Sequence, residues 1–149
     1  KNAELAKLAY GSNFEQVASA PVTIALFTDT DLAKRARKIA RTGGANNFSE
    51  EQLQYFLKNL PAEFERYSDQ QVSDYLALNA GLVAMNLVLA LTDQGIGSNI
   101  ILGFDKSKAN EVLEIEERFR PELLITVGYT DEKLEPSYRL PVDEIIEKR

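Results

Sequence analysis

The chain contains no cysteine, no histidine and no tryptophan. Without cysteine it has neither a disulfide framework nor a thiolate nucleophile. Without histidine, imidazole-based triads and most zinc sites are excluded. The lack of cysteine suits an intracellular, cytoplasmic protein. Net positive charge is lacking too: the chain stands at −6, with a pI of about 4.8. Nucleic acid and anionic membrane are therefore not expected as main partners. The opening KNAELAKLAYG lacks the apolar h-region of a signal peptide. The longest apolar stretch, Leu76 to Leu91, has 16 residues and includes Asn79 and Asn86. It is too short and too polar to be read as a transmembrane span. There is no G-x-G-x-x-G or P-loop pattern, and Gly95-Ile96-Gly97 precedes a strand rather than opening a helix. No carboxylate cluster has metal-ligand spacing, and pairs such as Glu116-Glu117 and Asp131-Glu132 read as solvated surface.

What is present describes a globular domain. Of the 149 residues, 44% are hydrophobic and 27% charged, enough for a single domain over 1–149 with a sizeable core. Residues 2–9 read as a short helix stopped by Gly11, and Asn13 to Ser19 as a second short helix or turn. PVTIALF, from Pro21 to Phe27, is a β-branched apolar run and predicts a buried strand. Asp29-Thr30-Asp31 offers an N-cap for the helix LAKRARKIA, and RTGGANN after it predicts a loop. Ser49 followed by Gln52 is a capping box, which predicts a helix to about Asn59, where Pro61 ends it or starts the next turn. The longest predicted helix runs from Asp69 to about Asp93. From Leu76 onward it is apolar nearly all round, so it should be buried on most sides, either centrally or against a second subunit. A strand at Ser98–Leu102, a helix from Ser107 to about Phe119 and a strand at Glu122–Val127 follow. The class is α+β, or α/β with a small sheet.

Three features carry chemical meaning. In GSNIILGFD, Gly103 ends an apolar strand one residue before Phe104. Glycine there permits either a close approach of the backbone to something or a sharp turn. Asn79 and Asn86, seven apart, share a helix face; hydrogen bonding within an interface and ligand contact are both open. In the tail, Arg139 lies within Ser137-Tyr138-Arg139-Leu140-Pro141. It is suited to a bidentate contact with an anion or to a surface salt bridge.

LNAGLVAMNLVLALTDQGIGSNIILGFD, then RFRPELLITVGY, then SYRLP together resemble the FMN-dependent nitroreductase family of NAD(P)H oxidoreductases. The resemblance covers residues 10–145. It implies an α+β homodimer with a central, mostly antiparallel sheet flanked by helices and a long helix buried at the dimer interface. It also implies electron transfer from NADH or NADPH through FMN to a nitroaromatic, quinone or similar acceptor, by a ping-pong mechanism. No catalytic side chain is required. The main chain at Leu102 and Gly103 would face the flavin ring edge, where an N–H stabilises developing negative charge. Some relatives carry Glu at the position of Leu102. Arg139 matches the arginine that binds the FMN phosphate, and Ser137 stands where some relatives have Lys. Asn13 and Gln16 match residues that contact the flavin or its ribityl chain, the second often Lys; helix-end capping by Asn13 is equally open. Tyr55 and Phe56 lie in a helix that covers the substrate side in relatives, although Phe56 also suits core packing. The family's Arg-Arg-Ser-x-Arg-like opening has no counterpart before Arg35, so about fifty N-terminal residues of the family fold are expected to be missing. That departure leaves an alternative: a non-catalytic homodimeric ligand-binding or scaffold protein of the same fold.

Overall fold

The computed structural model describes residues 2–44, 47–131 and 138–148. Its centre is a three-stranded antiparallel sheet in the order β1–β3–β2. The strands are β1 (Val22–Asp29), β2 (Gly97–Ile101) and β3 (Phe119–Gly128). Alternation sends Leu123 and Ile125 to one face and Leu124 to the other, and all three are buried. The face bearing Leu124 and Ile101 packs on α1 (Asn2–Ala6), on α2 (Asn13–Ser19) through Val17, and on Ala109. The opposite face packs on Ala84, Leu87 and Val88 of the long helix. Between the first strand and that helix lie α3 (Leu32–Ile39), α4 (Glu50–Gln54) and α5 (Leu60–Phe64). The long helix is α6 (Asp69–Asp93). After β2 come a 3-10 turn at Lys106–Lys108 and α7 (Ala109–Leu113); α8 (Val142–Ile145) lies in the tail.

The caps follow the sequence. The Asp31 side chain accepts from the Lys34 N–H at the start of α3. The Ser49–Gln52 capping box forms, and a second one, Ser68–Gln71, opens α6.

Several boundaries differ from expectation. Arg41 to Gly44 belong to a π-helical turn, Ala40–Gly44, that continues α3 rather than to a loop. Of its two expected roles, Pro61 takes the second and starts the next turn. A π-helical turn, Tyr55–Asn59, precedes it, and Pro61 falls in the first turn of α5, where a missing N–H is harmless. The helix expected to reach Phe119 stops at Leu113. Glu114 is left-handed at φ 56°, and the Asn110 side-chain amide donates to the carbonyls of Glu116 at 3.0 Å and Phe119 at 2.8 Å, drawing the chain back. β3 therefore begins before Pro121. Register shifts there, with Leu26 opposite Leu123 and Phe27 opposite Pro121. β2 pairs only with residues from Leu124 to Gly128, so the proline falls at a bulge beyond that pairing.

α6 is not buried on most sides within the chain. Leu76, Ala80 and Ala84 form its buried stripe. Leu78, Leu82, Met85 and Leu89, at helical spacing, are 50–66% exposed. The small side chains of Ala80 and Ala84 are buried at 4% and 2% exposure, while Leu78, Leu82, Met85 and Leu89 face outward. By length and composition this 25-residue helix would reach across a membrane. One face of it instead rests on the sheet.

Candidate functional site

The strand-end glycine sits in a corner built by two distant segments. Past Ile101 the chain leaves β3 and pairs with residues preceding α2. Ala9 and Phe104 form an antiparallel bridge. The Tyr10 N–H donates to the Gly103 carbonyl at 2.9 Å, and the Asp105 N–H donates to the Leu8 carbonyl at 2.8 Å. Gly11, at φ +56°, then turns the chain into α2. Asn13 follows at the first position of that helix, and its Nδ2 donates to the same Gly103 carbonyl at 3.2 Å. A Cβ on residue 103 would lie 2.8 Å from that nitrogen. Close approach therefore explains the glycine, and the approaching group is Asn13. The helix-capping alternative for Asn13 is replaced by this bond across ninety residues of the same chain.

One turn along α2, Gln16 Oε1 accepts from Asn99 Nδ2 at 2.6 Å. That leaves the Gln16 amide N–H groups and the Asn99 carbonyl oxygen as further donors and an acceptor. Leu102 points away from the core at 66% exposure, while Phe104 beside it is buried at 3%. The corner is closed by Asp105, whose Oδ1 accepts from the Ser107 hydroxyl at 2.6 Å and from the Ser107 N–H at 3.0 Å. The hydroxyl bond is the main cause holding the Asp105 carboxyl below its usual range.

The structure thus brings Asn13, Leu102 and Gly103 together past the end of β2, with Gln16 bonded to Asn99 in the middle of that strand. It does not bond Arg139 to them. The Arg139 guanidinium is exposed, and its Nη1 donates to the neighbouring Tyr138 carbonyl at 2.9 Å. Ser137 and Glu132 lie outside the described residues. Tyr55 is 40% exposed, and its hydroxyl donates to Glu63 at 3.4 Å. Phe56 stacks on Phe48 with ring centroids 4.6 Å apart and lines a cavity between α3, α5 and α6. Asn79 also lines that cavity, and its Nδ2 donates to the Tyr75 carbonyl; Asn86 is exposed, so the two asparagines share no site.

Sequence reasoning missed Tyr10 and Asn99, which hold the corner from either side. Neither carries a local signal, since their roles come from pairing across about ninety residues of chain. It also missed a network linking sheet to helix. Arg120 donates to buried Glu122 at 2.7 Å and to the Ser73 hydroxyl and carbonyl at 2.8 and 3.1 Å, and Thr28 donates to Glu122 from β1. This fixes β1, β3 and α6 together below the corner.

Comparison with known proteins agrees with this architecture. The Nitroreductase family model matches residues 2–129. A Streptococcus pyogenes protein named "Putative NAD(P)H nitroreductase Spy0809" is 60% identical over 149 residues, covering all of this chain and 74% of that protein. "Putative NAD(P)H nitroreductase YdgI" of Bacillus subtilis is 31% identical over 137 residues, covering 91% of this chain and 66% of its own. The crystal structure of a nitroreductase family protein from Streptococcus pneumoniae TIGR4 is 95% identical, with a TM-score of 0.96, over 99% of this chain and 74% of that one. A structure from Exiguobacterium sibiricum, described as "a putative nitroreductase in complex with FMN", superposes with a TM-score of 0.88 at 26% identity, over 99% of this chain and 71% of that one. With its sheet sandwiched between α6 and the α1–α2 pair, and with a family match running from the first helix to the end of β3, the chain belongs to the nitroreductase family.

Proposed function

We propose that the protein is an FMN-dependent NAD(P)H oxidoreductase of the nitroreductase type, acting as a cytoplasmic homodimer, with residues 1–149 forming one domain. The observation that carries this is the Gly103 corner. A backbone carbonyl held by two donors, Tyr10 N–H and Asn13 Nδ2, fixes the adjoining main chain, and a side chain at 103 would collide with Asn13. A preorganised strand end of this kind serves a planar, polar-edged ring, because its amide groups need not reorganise when charge develops opposite them. The donor chemistry fits FMN in three respects. The Gln16–Asn99 pair has donors and an acceptor left for hydroxyls or ring edges. Exposed Leu102 offers an apolar surface beside them. Among the described residues, Arg139 uses one guanidinium donor and keeps the others for a phosphate.

When bound, FMN supplies two-electron transfer from a nicotinamide to a nitroaromatic, quinone or similar acceptor, each substrate visiting the same face in turn. The chain's part is positional. Leu102 and Gly103 present main chain to the ring, Asn13 and Tyr10 hold that main chain rigid, and Gln16 and Asn99 orient the polar edge. Arg139 and Ser137 would hold the phosphate, and Tyr55 and Phe56 would border the acceptor. None of these residues needs to exchange a proton, which suits a chain without histidine or cysteine. The exposed stripe Leu78, Leu82, Met85 and Leu89 supports the dimer, since an apolar helix face of this kind is stabilised by a second copy.

The test is reconstitution. Purified protein incubated with FMN should take up flavin, with absorbance at about 450 nm, and should oxidise NADH or NADPH in the presence of a quinone. Dimeric protein that takes up no flavin would reject this reading in favour of the non-catalytic scaffold.

A further inference from the structure

α3 carries a positive charge density that the helix itself does not explain. Lys34, Arg35, Lys38 and Arg41 fall within eight residues of a chain whose net charge is −6. All four are exposed, and none has a hydrogen-bonding or ion-pairing side-chain partner among the described residues. Only Arg37, on the same helix, is paired, to Glu65 at 2.7 Å. Lys34 faces Lys38 at i, i+4 spacing, and Lys38 faces both Arg35 and Arg41 at i, i+3; like charges at these spacings oppose helix formation. Cations in the last turn suit the helix dipole, but Lys34 and Arg35 lie toward the N-terminal end, where the dipole disfavours them.

The same helix forms one wall of the cavity that Phe56 lines. The cavity measures about 440 Å3, the size range of small-molecule sites. Phe27, Leu32, Ile39, Phe56 and Leu76 give it an apolar interior, and Arg35 is its cation. Asp29 is its one carboxylate among the described lining residues, and that group is already committed to Arg118 at 3.8 Å and to the Asp31 N–H. An apolar chamber with an unpaired guanidinium on its wall and three further cations beside it selects for a ring system bearing one negative group.

We propose that this cavity binds an aromatic monoanion, its ring against Phe27, Phe56 and Leu76 and its carboxylate-type group on Arg35, with Lys34, Lys38 and Arg41 raising the local anion concentration. The site shares Phe56 with the acceptor side proposed above. Binding is measured without flavin or turnover, so its failure leaves the flavin reading standing.

The probes are 2-naphthoate and its neutral counterpart 2-naphthalenemethanol, titrated calorimetrically into the purified protein at low salt. The anion should bind about tenfold more tightly than the alcohol. Arg35→Gln should abolish that preference by weakening the anion alone, Arg35→Lys should retain part of it, and added salt should shrink it. Ile39→Trp, at a half-exposed position on the cavity wall, should weaken both ligands by filling the space. The proposal is overturned if the unaltered protein binds both ligands equally or binds neither. It is also overturned if Arg35→Gln keeps the preference, or if Ile39→Trp leaves both affinities unchanged.

Discussion

At the end of β2, Gly103 is gripped by Tyr10 and Asn13, with Asp105 tied back to Leu8 and Ser107. In the tail, Arg139 reaches, among the described residues, only the carbonyl of its own neighbour, and Tyr138, Leu140 and Val142 around it are exposed. Both regions belong to the proposed FMN site, yet only the first is fixed by long-range bonds among the described residues. The corner draws its rigidity from contacts distant in sequence, so it belongs to the fold. Among the described residues the Arg139 guanidinium has no such long-range partner, so a fixed position for it has to come from something else. The exposed stripe on α6 indicates what that could be: a second subunit, which would supply a surface this chain alone does not.

The comparison can be broken most forcefully at the helix. Met85→Asp puts a charge in the middle of the exposed apolar stripe, where a dimer would have to desolvate it. The unmodified protein should sediment as a dimer at micromolar concentration, and the variant as a monomer or an insoluble fraction. A stable monomer for the unmodified protein would remove the proposed source of order for the tail. Next comes Gly103→Val. The added side chain should push the Asn13 amide off the Gly103 carbonyl, cost about 1 kcal/mol of stability and weaken FMN and riboflavin together, because the ring side of the site is what moves. Unchanged flavin affinity would mean that the corner serves the fold alone. The smallest effect is expected at Asp105, whose folded carboxyl sits below its ordinary range through the Ser107 hydroxyl bond. A lowered folded value means that its stabilisation is present above the unfolded pKa, about 3.9, and is lost as pH falls through the folded value. Thermal melts of Asp105→Asn should therefore lie slightly below the parent near neutrality and converge with it in acid. A constant gap across pH would contradict this.

Much of the fold was legible because its signals are local. The β-branched run before Phe27, the Ser49–Gln52 box and the proline-free length of α6 each specify their own element. The Ser68–Gln71 box was equally local and was overlooked. What could not be read depends on partners elsewhere in the chain. The left-handed Glu114 that shortens α7 is set by Asn110 reaching the carbonyls beyond it. For the site, Gly103 announces a close approach, but its partner Asn13 stands ninety residues away. The family resemblance named both residues, and the fold supplies the physical reason that they belong together.

The central claim is that one ligand spans the rigid corner and the unfixed arginine, and FMN measured against riboflavin tests it most directly. Riboflavin has the ring and ribityl chain without the phosphate. Arg139→Ala should weaken FMN about ten- to hundredfold, the worth of a charge-assisted contact, and leave riboflavin within about twofold. Arg139→Lys should recover only part, because it keeps the charge and loses the two-pronged geometry. Equal losses for both ligands, or none for either, would contradict the account.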